Sequence, residues 1–320
     1  MRIPKKKSFS NSRKYSKFKV TNWLSYNEFL RNRGRIDFMI AENLVNGWYD
    51  KLSVYRKRGR HKKYSDLAIL QCLQIRCLFG LKLRQTQGFI NYIFEASGLS
   101  ITCPDYTTLC KRGQKLSLDS RLVEIDKEFS YVSMDSTGIA TYTGNEWLEN
   151  KHGKRYSRRV WKKLHIAVDK EGNIIANSTT THIEDDRPQV ETLLKDIKAE
   201  EFLGDTGYDG EEVYKQLRKK GIKPIIRPPN SSIAIKLEHL KSERDKAVEY
   251  RKNKRYHAWR VKNKYGRRER VENTFFRFKT SFGNKFLSRE DNNMKNEMTI
   301  KCQLLNKMFE IGKPISVRVS

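Results

Sequence analysis

The sequence predicts a mixed α/β domain preceded by a helical one, and three observations carry that prediction. Residues 131–139, YVSMDSTGI, alternate Val132 and Met134 against Ser133 and Asp135, the period of a half-buried strand. KLHIAVD (163–169) and NIIANSTTT (173–181) are two strand-like runs joined by Lys-Glu-Gly, which makes them a hairpin. Beyond them, helical and extended patterns alternate: RPQVETLLKDI, then EEFLGD (200–205), then EEVYKQLRKKG, then IKPIIRPP, ended by its prolines. Three strands followed by helix–strand units describe a mixed sheet.

The pattern changes near residue 126, so the expected division is a helical domain over 1–125 and an α/β domain over 126–315. Residues 1–20 hold eight Lys or Arg and no acid, which fits both a solvated tail and an arm that folds onto DNA. Helical patterning follows over 21–50, and YRKRGRHKK (55–63) reads as a linker or a phosphate-contacting loop. Ser65 is placed to cap the helix SDLAILQCLQIRCLF, and Gly80 to end it. LRQTQGFINYIFEASG is a second amphipathic segment, and Pro104-Asp105 opens a third through YTTLCKR. Short helices separated by Gly and Pro on a basic background suit a helix-turn-helix DNA reader, and an ordinary helical bundle has the same pattern. Residues 230–262 interrupt the α/β alternation as a polar, basic insertion containing Trp259, with the final helices after it.

Charge narrows the partner. The 320 residues contain 66 Lys or Arg against 37 Asp or Glu, a net +29. Such an excess favours phosphate-rich partners, because each neutralised phosphate releases condensed counterions. No run approaches the roughly 18 apolar residues that a membrane span needs, and the basic N-terminus lacks the apolar core of a secretory signal. Five cysteines without a CxxC pair read as reduced, buried thiols. The expected location is the cytoplasm, with a phosphate-rich polymer as partner and no membrane.

Two carboxylates stand out. Asp135 lies on the polar face of its strand, and Asp205 at the carboxyl end of another, where open α/β sheets form their ligand crevices. If the strands are neighbours, about 4.8 Å apart, the carboxylates repel and favour a cation between them. An all-oxygen donor set selects Mg²⁺ or Mn²⁺ over zinc. Alone, each Asp also reads as an ordinary strand-end or turn residue.

The stretch YGRRERVENTFFRFK (265–279) offers a third carboxylate. On a helical projection Val271, Phe275, Phe278 and Phe282 form a buried stripe. Tyr265, Arg268, Glu272, Phe276 and Lys279 form a second stripe beside it, while Arg267, Arg270, Thr274 and Arg277 fall on the solvated side. Glu272 thus borders the buried face, and Glu269 reads as a surface charge. The same pattern also describes a basic amphipathic helix with an Arg–Glu pair one turn apart.

The spacing Tyr265, two residues, Arg268, three residues, Glu272, six residues, Lys279 resembles the Y-R-E-K signature of bacterial insertion-sequence DDE transposases. These form the superfamily whose prototypes are insertion sequences four and five. SMDSTG (133–138) and LGDTGYDG (203–210) look like that family's first and second catalytic Asp motifs. The intervals from Asp135 to Asp205 and from Asp205 to Glu272 are nearly equal, and of the kind the family shows. NTFFRFK resembles its continuation of the Glu helix, and PDYTTLCKR its N-terminal domain.

The resemblance implies an RNase H-like catalytic domain with two Mg²⁺ or Mn²⁺ ions held by Asp135, Asp205 and Glu272. It also implies cleavage and transfer of DNA strands at terminal inverted repeats, by a homodimer on double-stranded DNA. Tyr265, Arg268 and Lys279 would contact DNA near the cleaved end. His182, Asp185 and Asp186 resemble a region between the family's Asp motifs and are read as a helix cap. Trp259 is open to two readings, a core residue or a platform for an unpaired base. A nuclease of the same fold without strand transfer, and a DNA-binding repressor without activity, are the rival readings.

Overall fold

The computed structural model describes residues 17–35, 44–50, 62–124, 127–141, 161–228 and 243–319. Most of the basic arm, most of YRKRGRHKK and residues 230–242 of the expected insertion lie outside these. The chain divides into two compact units, Met1–Phe38 with Met308–Ser320, and Met39–Lys307. The boundary expected near residue 125 falls inside the second.

The first unit joins the two ends of the chain. Strand β1 (Lys17–Val20) pairs antiparallel with β7 (Ser316–Val319), and helix α1 (Trp23–Asn32) follows β1. The Asn22 side chain ties them, donating to the Lys313 carbonyl at 2.9 Å and accepting from the Ile315 N–H at 2.7 Å.

The second unit opens with the short helix α2 (Leu44–Gly47) and three longer helices, α3 (Asp66–Phe79), α4 (Leu83–Ala96) and α5 (Tyr106–Gly113). Their ends follow the sequence signals. The Ser65 hydroxyl accepts from the Ala68 N–H, Gly80 ends α3 in the left-handed region at φ 65°, and the Asp105 carboxylate caps α5. Ala68, Ile69, Cys72 and Cys77 bury α3 at the centre of this group. Buried Arg76 then donates to Ser288 Oγ (3.0 Å) and the Leu287 carbonyl (2.8 Å), fixing α3 to a segment far along the chain. All five cysteines are unpaired.

The sheet contains β2 (Glu128–Ala140), β3 (Trp161–Val168), β4 (Ile174–Thr181), β5 (Lys198–Gly204) and β6 (Lys223–Ile226), in the order β4-β3-β2-β5-β6. Strand β3 runs antiparallel to both β2 and β4, and β2, β5 and β6 run parallel. A hairpin turn can join antiparallel strands, whereas parallel ones need a crossover. Helix α6 (Gln189–Leu193) lies between β4 and β5, and α7 (Glu211–Lys219) makes the crossover from β5 to β6. Gly172 turns the β3–β4 hairpin at φ 89°, a conformation that side chains disfavour.

Each face of the sheet has its own core. Val132, Met134, Ala167, Phe202 and Ile226 pack with Val190, Leu193, Val213 and Leu217 of α6 and α7. On the other face Leu164, Ile166 and Val168 meet Val271, Phe275 and Phe278 of α9 (Glu269–Phe282) and Met298 and Leu305 of α10 (Asp291–Ile311). Beside that cluster, Tyr131, Leu203 and Ile225 pack against Trp259 and Tyr265. Trp259 belongs to α8 (Glu243–Lys262), which Arg255 breaks at φ 66°. Tyr265 begins a 3₁₀ turn, Tyr265–Arg268, that leads into α9.

Candidate active site

The interval between the two aspartates matches the register of the parallel pair itself: Ser133 stands level with Leu203. Two residues further along each strand, Asp135 and Asp205 are level, and strand alternation directs both to the face covered by α9. Asp205 is the first residue beyond β5, and its carboxylate accepts from the Gly207 N–H at 2.8 Å. Asp135 Oδ1 accepts from the Ser136 N–H at 2.9 Å. Helix α9 brings Glu272 in its first turn, where the helix dipole favours a carboxylate.

Arg268 holds the three together. Its Nη2 lies 2.8 Å from Asp135 Oδ2 and 4.0 Å from Asp205 Oδ2, and its Nη1 donates to Glu272. The carboxylates splay around this guanidinium, and among the described residues no three His, Cys, Asp or Glu side chains already surround a single ion position. Exposure grades outward from the arginine: 14% for the Arg268 side chain, 19% for Asp135, 40% for Asp205 and 55% for Glu272.

Burial pushes the Asp135 pKa up to about 6, against the pull of Arg268 and with help from Asp205 and Glu272. Burial also works against the Arg268 charge, but Asp135, Tyr265, Glu272 and Asp205 outweigh it and raise its pKa. A carboxyl whose folded pKa is raised stabilises the fold at a pH below its unfolded value, about 3.9, and that contribution is lost as pH climbs through about 6. In metal-free urea unfolding, the stability of Asp135→Asn relative to the parent is therefore expected to improve by about 1–2 kcal/mol between pH 4.5 and 7.5. An unchanged difference would place the Asp135 proton elsewhere.

Of the three residues expected to touch DNA, Tyr265 requires correction. It is buried, and its hydroxyl donates to the Gly204 carbonyl at 3.0 Å, so it supports the strand end that presents Asp205. Tyr265→Phe is expected to lower stability by about 1 kcal/mol without changing DNA affinity, as read by thermal melts and filter binding. Lys279 is exposed on α9. Glu269 is exposed and pairs with Arg260 at 2.7 Å, apart from the carboxylate group. Trp259 is buried between Tyr256 and Tyr265, which settles its two readings in favour of the core. Thr274 departs from the projection: it is fully buried, and its hydroxyl donates to the Gly172 carbonyl at 3.0 Å.

Two acids in the neighbourhood were missed or misread from sequence. Asp209, 2% exposed, receives a forked pair of hydrogen bonds from Arg244 of α8, at 3.0 Å from Nε and 3.0 Å from Nη2. The Tyr214 hydroxyl donates to it as well, at 3.2 Å. Removing one partner of a buried pair leaves an uncompensated charge, so Arg244→Ala should cost about 3 kcal/mol, measured as a lower urea midpoint. Asp186 was expected as a helix cap. Instead Pro188 occupies the cap position of α6, and Asp186 accepts from Ser136 Oγ and Lys163 Nζ, each at 2.7 Å. The charged partners, Arg244 and Lys163, and Ser136 lie on elements distant in sequence, where no local pattern marks them.

The donor set fits a hard divalent cation. It is all oxygen, its charge exceeds that of one guanidinium, and the Tyr208 hydroxyl is buried nearby without a partner among the described residues. Burial and then Asp135, Asp186 and Asp205 raise the Tyr208 pKa, a sign of an excess of negative charge around it. Among the described residues, no helix is long and apolar enough to cross a membrane.

Similarity to known proteins identifies the family. Two family profiles described as "Transposase DDE domain" match the chain, over residues 31–144 and 127–307. An uncharacterized protein of Aquifex aeolicus (strain VF5) is 28% identical over 247 residues, 68% of this chain and 74% of that one. Among solved structures, the pre-cleavage Mos1 transpososome aligns with 72% of this chain and 82% of its own. Its identity is 12% and its TM-score 0.19. The second profile alone covers more than half of the chain, and the chain belongs to the transposase DDE domain family.

Proposed function

We propose that the chain is a transposase that binds the terminal inverted repeats of its element, cuts the DNA there and joins the ends to target DNA. The observation that carries this reading is the convergence of Asp135, Asp205 and Glu272 on the Arg268 guanidinium. Three carboxylates from two strands and a helix, widely separated in sequence, gather where a polyanionic substrate would need divalent ions. We read the sheet, three antiparallel strands continued by two parallel ones, as RNase H-like. The Y-R-E-K spacing supports placement in the superfamily of insertion sequences four and five.

Transposases of this family use divalent metal ions, here read as two Mg²⁺ or Mn²⁺. When bound, such ions activate an attacking water or 3′-hydroxyl and stabilise the leaving oxygen of an in-line displacement. The protein's own residues do the rest. The Ser136 and Gly207 N–H groups orient the Asp135 and Asp205 carboxylates. Glu272, the most exposed of the three, closes the group from the helix side. With cations held by the three carboxylates, Arg268 would be free to meet a phosphate, and Lys279, two turns along α9 from Glu272, would meet the next.

The helical part is read as the reader of the transposon ends. A cleft of about 610 Å³ between the start of α4 and α5 is lined by Leu83, Tyr106 and Cys110 with Lys82, Arg84 and Lys111, and we read these three basic residues as contacts for the DNA backbone. Two ends must be held at once, so the active species is read as a homodimer on DNA.

A pre-cut transposon end, a plasmid target and Mg²⁺ test the reading. Joined products are the expected result. Cutting without joining would favour a nuclease of the same fold, and binding alone would favour a repressor.

A further inference from the structure

Ser136 and Lys163 are diagonal neighbours on adjacent strands, since Ser136 pairs with His165 and Gly138 with Lys163. The loop after β4 lies over that diagonal. Glu184 turns back to accept from the Thr181 N–H and hydroxyl, both at 2.9 Å, and Asp185 pairs with Arg187. Asp186 is left facing the sheet, its Oδ2 accepting from Ser136 Oγ and its Oδ1 from Lys163 Nζ, which also donates to the Glu184 carbonyl at 2.7 Å. Neither half-buried charge of the Asp186–Lys163 pair is left uncompensated.

Ser136 connects this clamp to the candidate active site. Its side chain points to the α6 face of the sheet, opposite to that of Asp135, while its backbone N–H donates to Asp135 Oδ1. That bond sets which Asp135 oxygen remains for Arg268 or for a cation. Fixing the Ser136 hydroxyl from behind therefore fixes the peptide that aims Asp135. The buried Tyr208 hydroxyl has Asp135, Asp186 and Asp205 as its main charged neighbours, so the clamp and the carboxylate pair share one surrounding.

We propose that Asp186 is a positioning residue for Asp135, acting through Ser136, and that it preorganises the carboxylate for a divalent cation. This rests on the reading of Asp135, Asp205 and Glu272 as the metal-binding group. Partners that orient a metal ligand are worth about 10–100-fold in metal affinity or activity. Lys163 holds Asp186 in place, and Ser136 transmits the constraint.

Mn²⁺ titration of the full-length protein, followed by electron paramagnetic resonance, tests it alongside DNA affinity and thermal melts. Asp186→Ala and Ser136→Ala should each weaken Mn²⁺ binding about tenfold. The double variant should be no worse than either single one, because both break the same link. Asp186→Asn keeps an acceptor for the Ser136 hydroxyl and should lose less than threefold. DNA affinity should stay unchanged, and saturating Mn²⁺ should restore most of the cleavage rate, a split that a merely structural strut would not produce. Mn²⁺ affinity within twofold of the parent in Asp186→Ala, or losses that multiply in the double variant, would overturn the proposal. If Asp186→Ala fails to fold, Ser136→Ala decides in the same way. A parent protein that binds no Mn²⁺ would overturn both this inference and the reading of the three carboxylates; a parent that binds while the variants match it overturns this inference alone.

Discussion

Alanine at Asp135, Asp205 or Glu272 is expected to reduce Mg²⁺-dependent joining of a pre-cut transposon end by about 10³-fold or more, with DNA binding retained. In the proposed function each carboxylate is one part of a shared metal-binding group, and groups that act as a unit fail together. Double variants should therefore be hardly slower than single ones. Fold should survive best at Glu272 and Asp205, whose side chains are 55% and 40% exposed, and a melting curve checks that before any rate is compared. Asp135→Asn is the safer variant at the more buried position, since it keeps the shape between Arg268 and the Ser136 N–H. Residual joining above a tenth of the parent rate in a folded variant would remove that residue from the group.

Arg268→Ala should have opposite effects on two measurements. Without metal it leaves Asp135 and its neighbours as an uncompensated negative cluster, at a cost of about 2 kcal/mol once the exposure of Glu272 and Asp205 is allowed for. In the same variant Mn²⁺ no longer competes with a fixed guanidinium, so its affinity should rise by about tenfold, equivalent to about 1.4 kcal/mol. Adding Mn²⁺ should then recover most of the lost thermal stability. Strand joining should nevertheless fall, because the arginine that meets the phosphate is gone. A variant that binds Mn²⁺ no better than the parent would show that Arg268 does not stand in the cation's place.

Much of this arrangement was legible in the sequence, for physical reasons that also explain the misreadings. Strand alternation placed Asp135 on its polar face, and the interval to Asp205 agrees with a register that makes the two level neighbours. The helical period separated Glu272 from Glu269 and found the buried face of Val271, Phe275 and Phe278. That period knows only the helix axis, and Thr274 shows its limit: the Gly172 turn of the β3–β4 hairpin covers a side the projection had left to solvent. Tyr265 was expected at DNA from the family resemblance, but the 3₁₀ turn before α9 and the nearby end of β5 fold its hydroxyl onto Gly204. Asp186 and Asp209 depend on partners in other strands and helices, Lys163, Ser136 and Arg244, which a local pattern cannot pair with them.

The family profile shows the family to which the chain belongs, and the geometry shows three carboxylates gathered on one guanidinium. Three converging carboxylates repel one another even in a chain of net charge +29, and a purpose beyond folding accounts for keeping them together. Arg268 holds them in the metal-free protein, and its predicted exchange for divalent ions links the resting site to the active one.

Anomalous diffraction from crystals grown with Mn²⁺ tests that exchange most directly. The account predicts manganese bound within the group formed by Asp135, Asp205 and Glu272, with the Arg268 guanidinium moved off the carboxylates. Each ion should be bonded directly to carboxylate oxygens, as hard divalent cations are. Manganese bound elsewhere, or Arg268 still seated on Asp135 at a saturated site, would contradict it.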